Sequence, residues 1–392
     1  MAAGRILLPR SQRPGPVRPV AALSPEAQAL VALSFAGVDA ARVWDAHAHL
    51  VGLGTGGTGA EVSPAMRSHL NPWKRLQFEI YMAAAGVRDL ARADEEYLER
   101  LLALHRAAHP AGRILLLAFD RRVGEDGAEE PDGSPFYVPD ARVLAVARAH
   151  PEIVACASVH PYRADALERL EAAAQGGARA VKWLPNAQGI DPSSPRCDAF
   201  YDRLRSLGLV LISHTGIEHA VDAAEDQELG NPLRLRRALG RGVRVVAAHC
   251  ATLGRVRDLD HEERRPAPAL DLFLRLMGEA GTAGLLYGDL SAVTQVNRST
   301  EALRTLLLAE DLHPRLVNGS DYPLPAIDLL ISTRLLVHRG FVAGSERAAL
   351  DEIFEANALL YDFVLKRRLR VAEGGREVSF APQVFESARL FA

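Results

Sequence analysis

The chain has 392 residues, of which 48% are hydrophobic and 24% are charged, and its formal net charge is −3. This balance is typical of a soluble globular protein and does not favour binding to nucleic acids or to membrane surfaces. No apolar run approaches the roughly 18 to 20 residues of a membrane span, and three cysteines without a C-x-x-C pair argue against disulfides or a thiolate metal site.

The first predicted element is an N-terminal arm, residues 1–40, that we expect to be partly mobile. Near its start, the apolar run Ile6 to Leu8 is too short for the hydrophobic region of a secretory signal. The sequence therefore favours a cytoplasmic protein.

From residue 43 onward, short apolar runs alternate with amphipathic stretches of helical spacing. The runs predict parallel strands, because strands that are covered on both faces are nearly continuous in apolar character. Eight predicted strands span 43–47, 113–120, 152–160, 178–185, 209–214, 243–249, 284–290 and 315–321, with helices at 165–177, 197–208, 231–242 and 299–310. Eight strands close a (β/α)8 TIM barrel, and a doubly wound open sheet is the competing fold.

Residues 50–111 lie outside this repeat and contain two predicted helices, at about 75–86 and 93–109. Because this insertion follows the C-terminal end of the first strand, we expect it to act as a lid.

Its segment "GLGTGG" (52–57) matches the dinucleotide-binding pattern G-x-G-x-x-G. That site requires a helix directly after the glycines, and Gly59, Ser63 and Pro64 follow instead. We interpret the glycines as a flexible rim.

After the eighth strand, residues 325–368 are predicted to form a helical extension, so that the barrel domain spans residues 41–368. The C-terminal tail, residues 369–392, is mixed, and its segments "EVSF" and "PQVFES" have a strand-like pattern. We predict no second domain.

Polar residues occur where several predicted strands end. The first strand has Asp45, His47 and His49 at alternate positions, which predicts that all three side chains point the same way. The C-terminal ends of barrel strands lie on one face, where active sites are built, so polar residues from several strands should converge there. These residues, on the third, fourth, fifth, sixth and eighth strands, are His160, Lys182, His214, His249 and Asp321.

Neutral imidazoles and a carboxylate are suitable ligands for Zn²⁺, although Mn, Fe and Co accept the same set. A catalytic site of this kind keeps one position open for water and lowers its pKa, which produces a nucleophile near neutral pH. Lys182 does not fit this set as an ammonium. It becomes a ligand if CO2 adds to its amine, which gives an anionic carbamate able to bridge two ions. Otherwise it is a cation that pairs with a neighbouring acid or a substrate carboxylate.

His160 and Arg163, in "VHPYR", are predicted on the same face and could bind an anionic substrate. The alternative is that they only organise their loop. We assign no role to Glu218, which follows the fifth strand, because polar residues are common in loops.

The residues at the strand ends resemble the ligand pattern of the amidohydrolase superfamily of metal-dependent barrels. The framing sequences are most similar to its amidohydrolase-related branch, which contains hydrolases and nonoxidative decarboxylases. "VKWLPNAQ" (181–188) is also similar to the lysine strand of dihydroorotase-like members. The resemblance covers roughly residues 40–365, and its strand order is matched by Asp45, His47, His49, His214, His249 and the "NGSDYP" around Asp321.

Carried over to this chain, the resemblance implies two groups of ligands joined by a carboxylated lysine. They are His47, His49 and Asp321 for a first ion, and His214 and His249 for a second, with Lys182 bridging. It also implies that Asp321 takes the proton of the attacking water and passes it to the leaving group.

Two reactions remain open. The first is hydrolysis of a C–N or C–O bond (amide, cyclic amide, lactone or ester) in a small polar substrate. The second is nonoxidative decarboxylation with one metal, in which the resemblance gives His249 an acid–base role and the strand-four lysine is generally absent. A barrel without catalytic activity is a third possibility. We expect a small-molecule substrate, one or two divalent ions, zinc first among them, and a homodimer by family analogy.

Overall fold

The computed structural model describes residues 14–108, 112–221, 223 and 226–392, so the start of the predicted N-terminal arm lies outside it. The strands of the described residues are Trp44–His49 (β1), Glu61–Val62 (β2), Arg113–Leu117 (β3), Phe136–Tyr137 (β4), Ile153–Ala157 (β5), Ala180–Trp183 (β6), Val210–His214 (β7), Val245–Ala248 (β8), Arg255–Arg257 (β9), Pro266–Pro268 (β10), Leu286–Asp289 (β11), Leu316–Val317 (β12), Arg370–Glu373 (β13) and Arg376–Ser379 (β14). The α-helices are Pro25–Phe35 (α1), Pro64–Arg67 (α2), Pro72–Ala84 (α3), Ala93–Ala107 (α4), Asp140–Ala149 (α5), Ala166–Gln175 (α6), Pro185–Gln188 (α7), Asp198–Leu207 (α8), Arg236–Gly240 (α9), Ala269–Met277 (α10), Thr300–Leu308 (α11), Thr333–His338 (α12), Arg347–Ala356 (α13), Ala358–Arg368 (α14) and Ala388–Phe391 (α15).

The central sheet confirms the predicted TIM barrel. Within the described residues it has eight parallel strands in the order β1-β3-β5-β6-β7-β8-β11-β12. The last strand returns to the first, because Ala48 bridges to Tyr322 and the N–H of Ala46 donates to the carbonyl of Asn318 at 2.9 Å. Strand order follows chain order around a closed cylinder, which excludes the doubly wound open sheet.

The inside of the barrel is filled with apolar side chains towards the N-terminal ends of the strands. The short helix α15 packs against this interior cluster and closes that end, so the C-terminal end is left for the polar residues. The cluster includes Trp44, Ala46, Leu115, Leu117, Val154, Val210, Ile212, Val246, Leu390 and Phe391.

Strand β1 differs from the prediction that its three polar side chains point the same way. The register of β1 against β3 shifts between Asp45 and Ala48, as in a β-bulge. Asp45 lies on the outer side of the barrel, where its Oδ1 accepts the N–H of Ser320 at 2.8 Å. His47 and His49 face the interior near Asp321. The bulge therefore separates the carboxylate from the two imidazoles that follow it.

Helix α1, in the second half of the predicted arm, packs on α13 and α14. Ser24 caps it by accepting the N–H of Ala27 at 3.2 Å, and the Ser24 hydroxyl donates to Glu352 of α13 at 2.6 Å. This cap links the start of α1 to the outer helices of the barrel.

The insertion after β1 contains α2, α3 and α4, and β2 pairs antiparallel with β4. Its glycine-rich segment wraps around a carboxylate of the protein itself. Asp94 of α4 is buried and accepts the backbone N–H of Leu53 at 2.6 Å and of Thr55 at 3.3 Å, together with the hydroxyls of Thr55 and Thr58. A Cβ at Gly52 would collide with this carboxylate. The G-x-G-x-x-G pattern therefore forms an anion-binding turn for Asp94.

We expect Asp94→Ala to lower the free energy of unfolding by about 2 to 3 kcal/mol, because several donors lose a charged acceptor in a buried turn. Urea denaturation measures the change. Asp89→Ala is the matched control, since Asp89 is exposed and accepts one backbone N–H, from Ala91 at 2.9 Å. It should cost about 1 kcal/mol or less. Equal losses in the two variants would contradict the structural role of Asp94.

The predicted helical extension corresponds to α12, α13 and α14. In the C-terminal tail, one of the two predicted strand-like segments forms a strand and the other does not. "EVSF" contributes to β14, which pairs with β13. The prediction that "PQVFES" is strand-like is wrong, because Pro382–Phe385 is a 3-10 helix that begins at its proline. No helix in the described parts of the chain has the length and apolar character needed to cross a bilayer.

Candidate metal centre

The predicted ligands lie at the C-terminal end of the barrel. His49 ends β1, His214 ends β7 and Lys182 lies within β6. His249 and Asp321 lie in the loops after β8 and β12, and both have positive φ angles, 60° and 64°. Such backbone conformations are costly for non-glycine residues and are concentrated at functional sites.

Three of the predicted ligands form a compact buried group. Ligand atoms of His47, His249 and Asp321 all lie within 4.8 Å of one another. Oδ1 of Asp321 is 3.5 Å from Nε2 of His47 and 3.2 Å from Nε2 of His49. The ring centroids of His214 and His249 are 5.0 Å apart, so His214 extends the group on its other side.

The imidazoles are held by their Nδ1 atoms. Nδ1 of His47 is 2.8 Å from Oδ2 of Asp289, and Nδ1 of His249 is 2.7 Å from Oγ of Ser291. Nδ1 of His214 is 3.4 Å from Oε2 of Glu218. Metal-binding histidines typically use one ring nitrogen for such an anchor and the other for the ion.

The opposite nitrogens fit a metal ion. Nε2 of His47 and Nε2 of His214 are buried and have no hydrogen-bond partner among the described residues. Burying a polar atom without a partner costs free energy of folding. A divalent cation bound by these neutral imidazole nitrogens would provide the missing partner. His47, His249 and Asp321 can therefore hold a divalent metal ion, with His49 and His214 at its sides.

The protonation states of these side chains also suit a divalent metal ion. Burial lowers the pKa of His47 and His214, and lowers that of His249 to about 3, so the imidazoles are neutral near pH 7. Burial alone would raise the pKa of Asp321, but His249, His49 and His47 lower it well below its usual range. Neutral imidazoles and an ionised carboxylate are the forms that coordinate divalent ions.

Lys182 is buried inside the barrel and lines the cavity that contains His49, His214, His249 and Asp321. Burial lowers the pKa of its amine, although Asp289 and Asp321 oppose this effect. A lower pKa favours the neutral amine, which is the form that can react with CO2.

His160 and Arg163 are not among the residues that line this cavity. His160 is buried, with Nε2 at 3.0 Å from the carbonyl of Gln188 and Nδ1 accepting the N–H of Tyr162 at 3.2 Å. Arg163 forms ion pairs with Glu129 at 2.6 Å and with neighbouring acids. These contacts correspond to the alternative in which the two residues organise their loop.

Three residues that the sequence did not identify as functional lie at or near the metal centre. Asp289 ends β11, and the acid in "GLLYGDL" could have identified it, because an apolar strand rarely ends in a buried carboxylate. Glu218 is buried behind His214, but its loop position gave no signal. Arg298 is buried, and its Nη1 donates to Oγ1 of Thr252 at 2.8 Å.

We expect Asp289→Asn to weaken metal affinity about 10- to 100-fold. Oδ2 of Asp289 contacts Nδ1 of His47, and its Oδ1 accepts the N–H groups of His249 at 2.9 Å and Ser291 at 3.0 Å, and a single amide oxygen cannot serve both sides. Burial would raise the pKa of Asp289, but His47 lowers it, so the carboxylate is the ionised anchor of that ring. Competition with a chromophoric chelator measures the dissociation constant. Asp271→Asn, on the exposed face of α10, is the matched control and should leave the affinity unchanged. A wild-type affinity in Asp289→Asn would contradict the anchoring role.

The chain matches the family model described as Amidohydrolase over residues 44–360. Similar solved structures include an uncharacterized TIM-barrel protein from Bordetella bronchiseptica (17% identity, TM-score 0.48, 82% of this chain and 99% of that chain). Others are a probable 2-pyrone-4,6-dicarboxylic acid hydrolase from Acinetobacter baumannii (14%, 0.41, 83% and 97%) and 5-carboxyvanillate decarboxylase from Sphingomonas paucimobilis (13%, 0.41, 82% and 99%). No curated protein matched the chain. Since the family match runs from β1 into α14 and includes every strand of the barrel, this chain belongs to the amidohydrolase family of enzymes.

Proposed function

We propose that this enzyme is a metal-dependent hydrolase that cleaves a C–N or C–O bond, such as that of an amide, cyclic amide, lactone or ester. The observation that carries the proposal is the pair of buried, unpartnered Nε2 atoms of His47 and His214, whose ring centroids lie 5.1 Å and 5.0 Å from that of His249. Together with His49, His249 and Asp321, these two residues give five ligand side chains, which is enough to hold two ions if Lys182 bridges them. This arrangement supports His47, His49 and Asp321 as ligands of one ion and His214 and His249 as ligands of another.

Lys182 is the bridging ligand in this proposal, after carboxylation of its neutral amine. Burial of the amine, which lowers its pKa, and its place on the cavity wall support this role. Divalent ions held here would supply Lewis acidity towards water and towards the carbonyl oxygen of the substrate, and zinc suits the ligand set.

The proton transfers are assigned to Asp321. Its carboxylate is ionised, buried and 3.2 Å from Nε2 of His49, at the wall of the cavity. It takes a proton as water oxygen bonds to the carbonyl carbon, and it returns that proton to the leaving nitrogen or oxygen as the scissile bond breaks.

Metal analysis of protein purified with bicarbonate tests the bridged centre. We expect about two equivalents per chain, as in other two-metal sites, and a clear decrease in Lys182→Met, which keeps the volume of the buried side chain. Lys74→Met, outside the cavity lining, is the control and should keep the wild-type content. A content of one equivalent that is unchanged in Lys182→Met would exclude the bridged centre and favour the one-metal decarboxylase.

A further inference from the structure

The cavity at the metal centre is mainly apolar beyond the ligands. Its volume is about 110 Å³, and a dry apolar cavity of about 150 Å³ accommodates benzene. The space therefore suits one ring or a short alkyl chain. Its apolar wall is contributed by the insertion, by the β2–β4 pair and by the loop after β6, through Val51, Val62, Phe78, Met82, Phe136 and Leu184.

The wall begins directly at the ligands and is held in place. The ring of Phe136 lies edge-on to His49, with centroids 6.5 Å apart, and packs on Phe119 at 4.0 Å. Helix α3 is tied across the cavity, because Nε2 of Gln77 donates to the carbonyl of Ala220 at 3.0 Å. A group next to the reacting bond thus meets packed apolar side chains.

Cationic side chains are scarce around this space. Lys182 is the one lysine or arginine among the described residues that line the cavity, and in the proposed centre it is a metal ligand. Arg298 is also buried, but it is hydrogen-bonded to Thr252 and does not line the cavity. The other charged groups of the lining are the acids Glu218 and Asp321. A carboxylate on the substrate, away from the reacting bond, would be desolvated without a partner.

We infer that the substrate of this enzyme is uncharged and carries an apolar group, between a short alkyl chain and one aromatic ring in size, beside the bond that is cleaved. The inference rests on the hydrolase function proposed above. It replaces the expectation of a small polar substrate: the reacting bond is polar, and the part that the insertion recognises is apolar.

A pair of matched ligands tests the substrate class by binding. Butyrohydroxamic acid and succinic acid monohydroxamate have the same metal-binding group and similar length, and differ by a terminal methyl or carboxylate. Calorimetric titration of the metal-loaded enzyme should give about 100-fold weaker binding for the carboxylate ligand. The reason is that no cationic partner in the cavity offsets the free energy of desolvating the carboxylate. Equal or tighter binding of the carboxylate ligand, or binding of neither, would overturn the inference.

A substitution in the wall adds a second measurement. Val62 is half-buried in the short strand β2 and lines the cavity. Val62→Lys should narrow the difference between the two ligands at least about tenfold by giving the carboxylate a partner. Val62→Gln, of similar length but uncharged, should keep the wild-type difference. Equal ligand preferences in the two variants would contradict an electrostatic origin.

Hydrolysis of 4-nitrophenyl butyrate and 4-nitrophenyl hemisuccinate separates this inference from the proposed function. Faster hydrolysis of the butyrate supports both. Absence of turnover on both esters, with the binding preference intact, refutes ester hydrolysis as the reaction of this enzyme and leaves the substrate class standing. Turnover with preference for the hemisuccinate refutes the substrate class and leaves the hydrolase.

Discussion

Replacement of Asp321 by asparagine is expected to lower kcat about 10²- to 10⁴-fold, which is the usual contribution of a positioned general acid–base group. Asparagine has nearly the same shape and retains an oxygen that can face the metal, but it cannot accept a proton at neutral pH. The carboxylate it replaces is ionised, since His249, His49 and His47 lower its pKa well below the usual range against the effect of burial. Steady-state kinetics with 4-nitrophenyl butyrate measure the loss.

Metal content and a second variant separate catalysis from folding. Metal bound by Asp321→Asn should decrease far less than kcat, because the histidine ligands remain. Asp311→Asn, an exposed change in the segment before β12, should keep wild-type kinetics. If kcat of Asp321→Asn stays within tenfold of the wild type, the proton transfers must be assigned to another group.

The second large effect is expected for His47→Gln, which should remove a metal ion from the purified enzyme and abolish detectable turnover. His47 is fully buried, with Nδ1 at 2.8 Å from Asp289 and Nε2 without a partner beside Asp321. The substitution removes the free Nε2 and also leaves Asp289 without its imidazole. Elemental analysis and anomalous scattering at the metal edges would measure occupancy.

His313→Gln is the matched control, because His313 is also buried but binds the carbonyl of Leu306 at 3.2 Å and the N–H of Ala381 at 3.3 Å, away from the cavity. It should reduce stability and keep the metal. Full metal occupancy in both His47→Gln and His49→Gln would refute the ligand assignment.

The barrel could be predicted because local patterns carry its main signals. Each of the eight predicted apolar runs overlaps one barrel strand, since strands packed between an interior and a helical layer are apolar on both faces. Boundaries were less exact: the run 315–321 contains the two-residue strand Leu316–Val317, because its polar end turns into the metal-site loop. Helices α5 and α10 were absent from the predicted elements, although α10 has buried residues at helical spacing.

The sequence by itself determined the residue types at the centre, because imidazoles and a carboxylate at the ends of apolar strands can serve few purposes other than a cation site. Where each side chain points was decided by the tertiary structure. A register shift in β1 turns Asp45 outward and leaves His47 and His49 at the centre. Asp289 and Glu218 become anchors of His47 and His214 only when the barrel closes. The apolar wall likewise depends on segments far apart in the chain, because the contacts between them are absent from any local pattern.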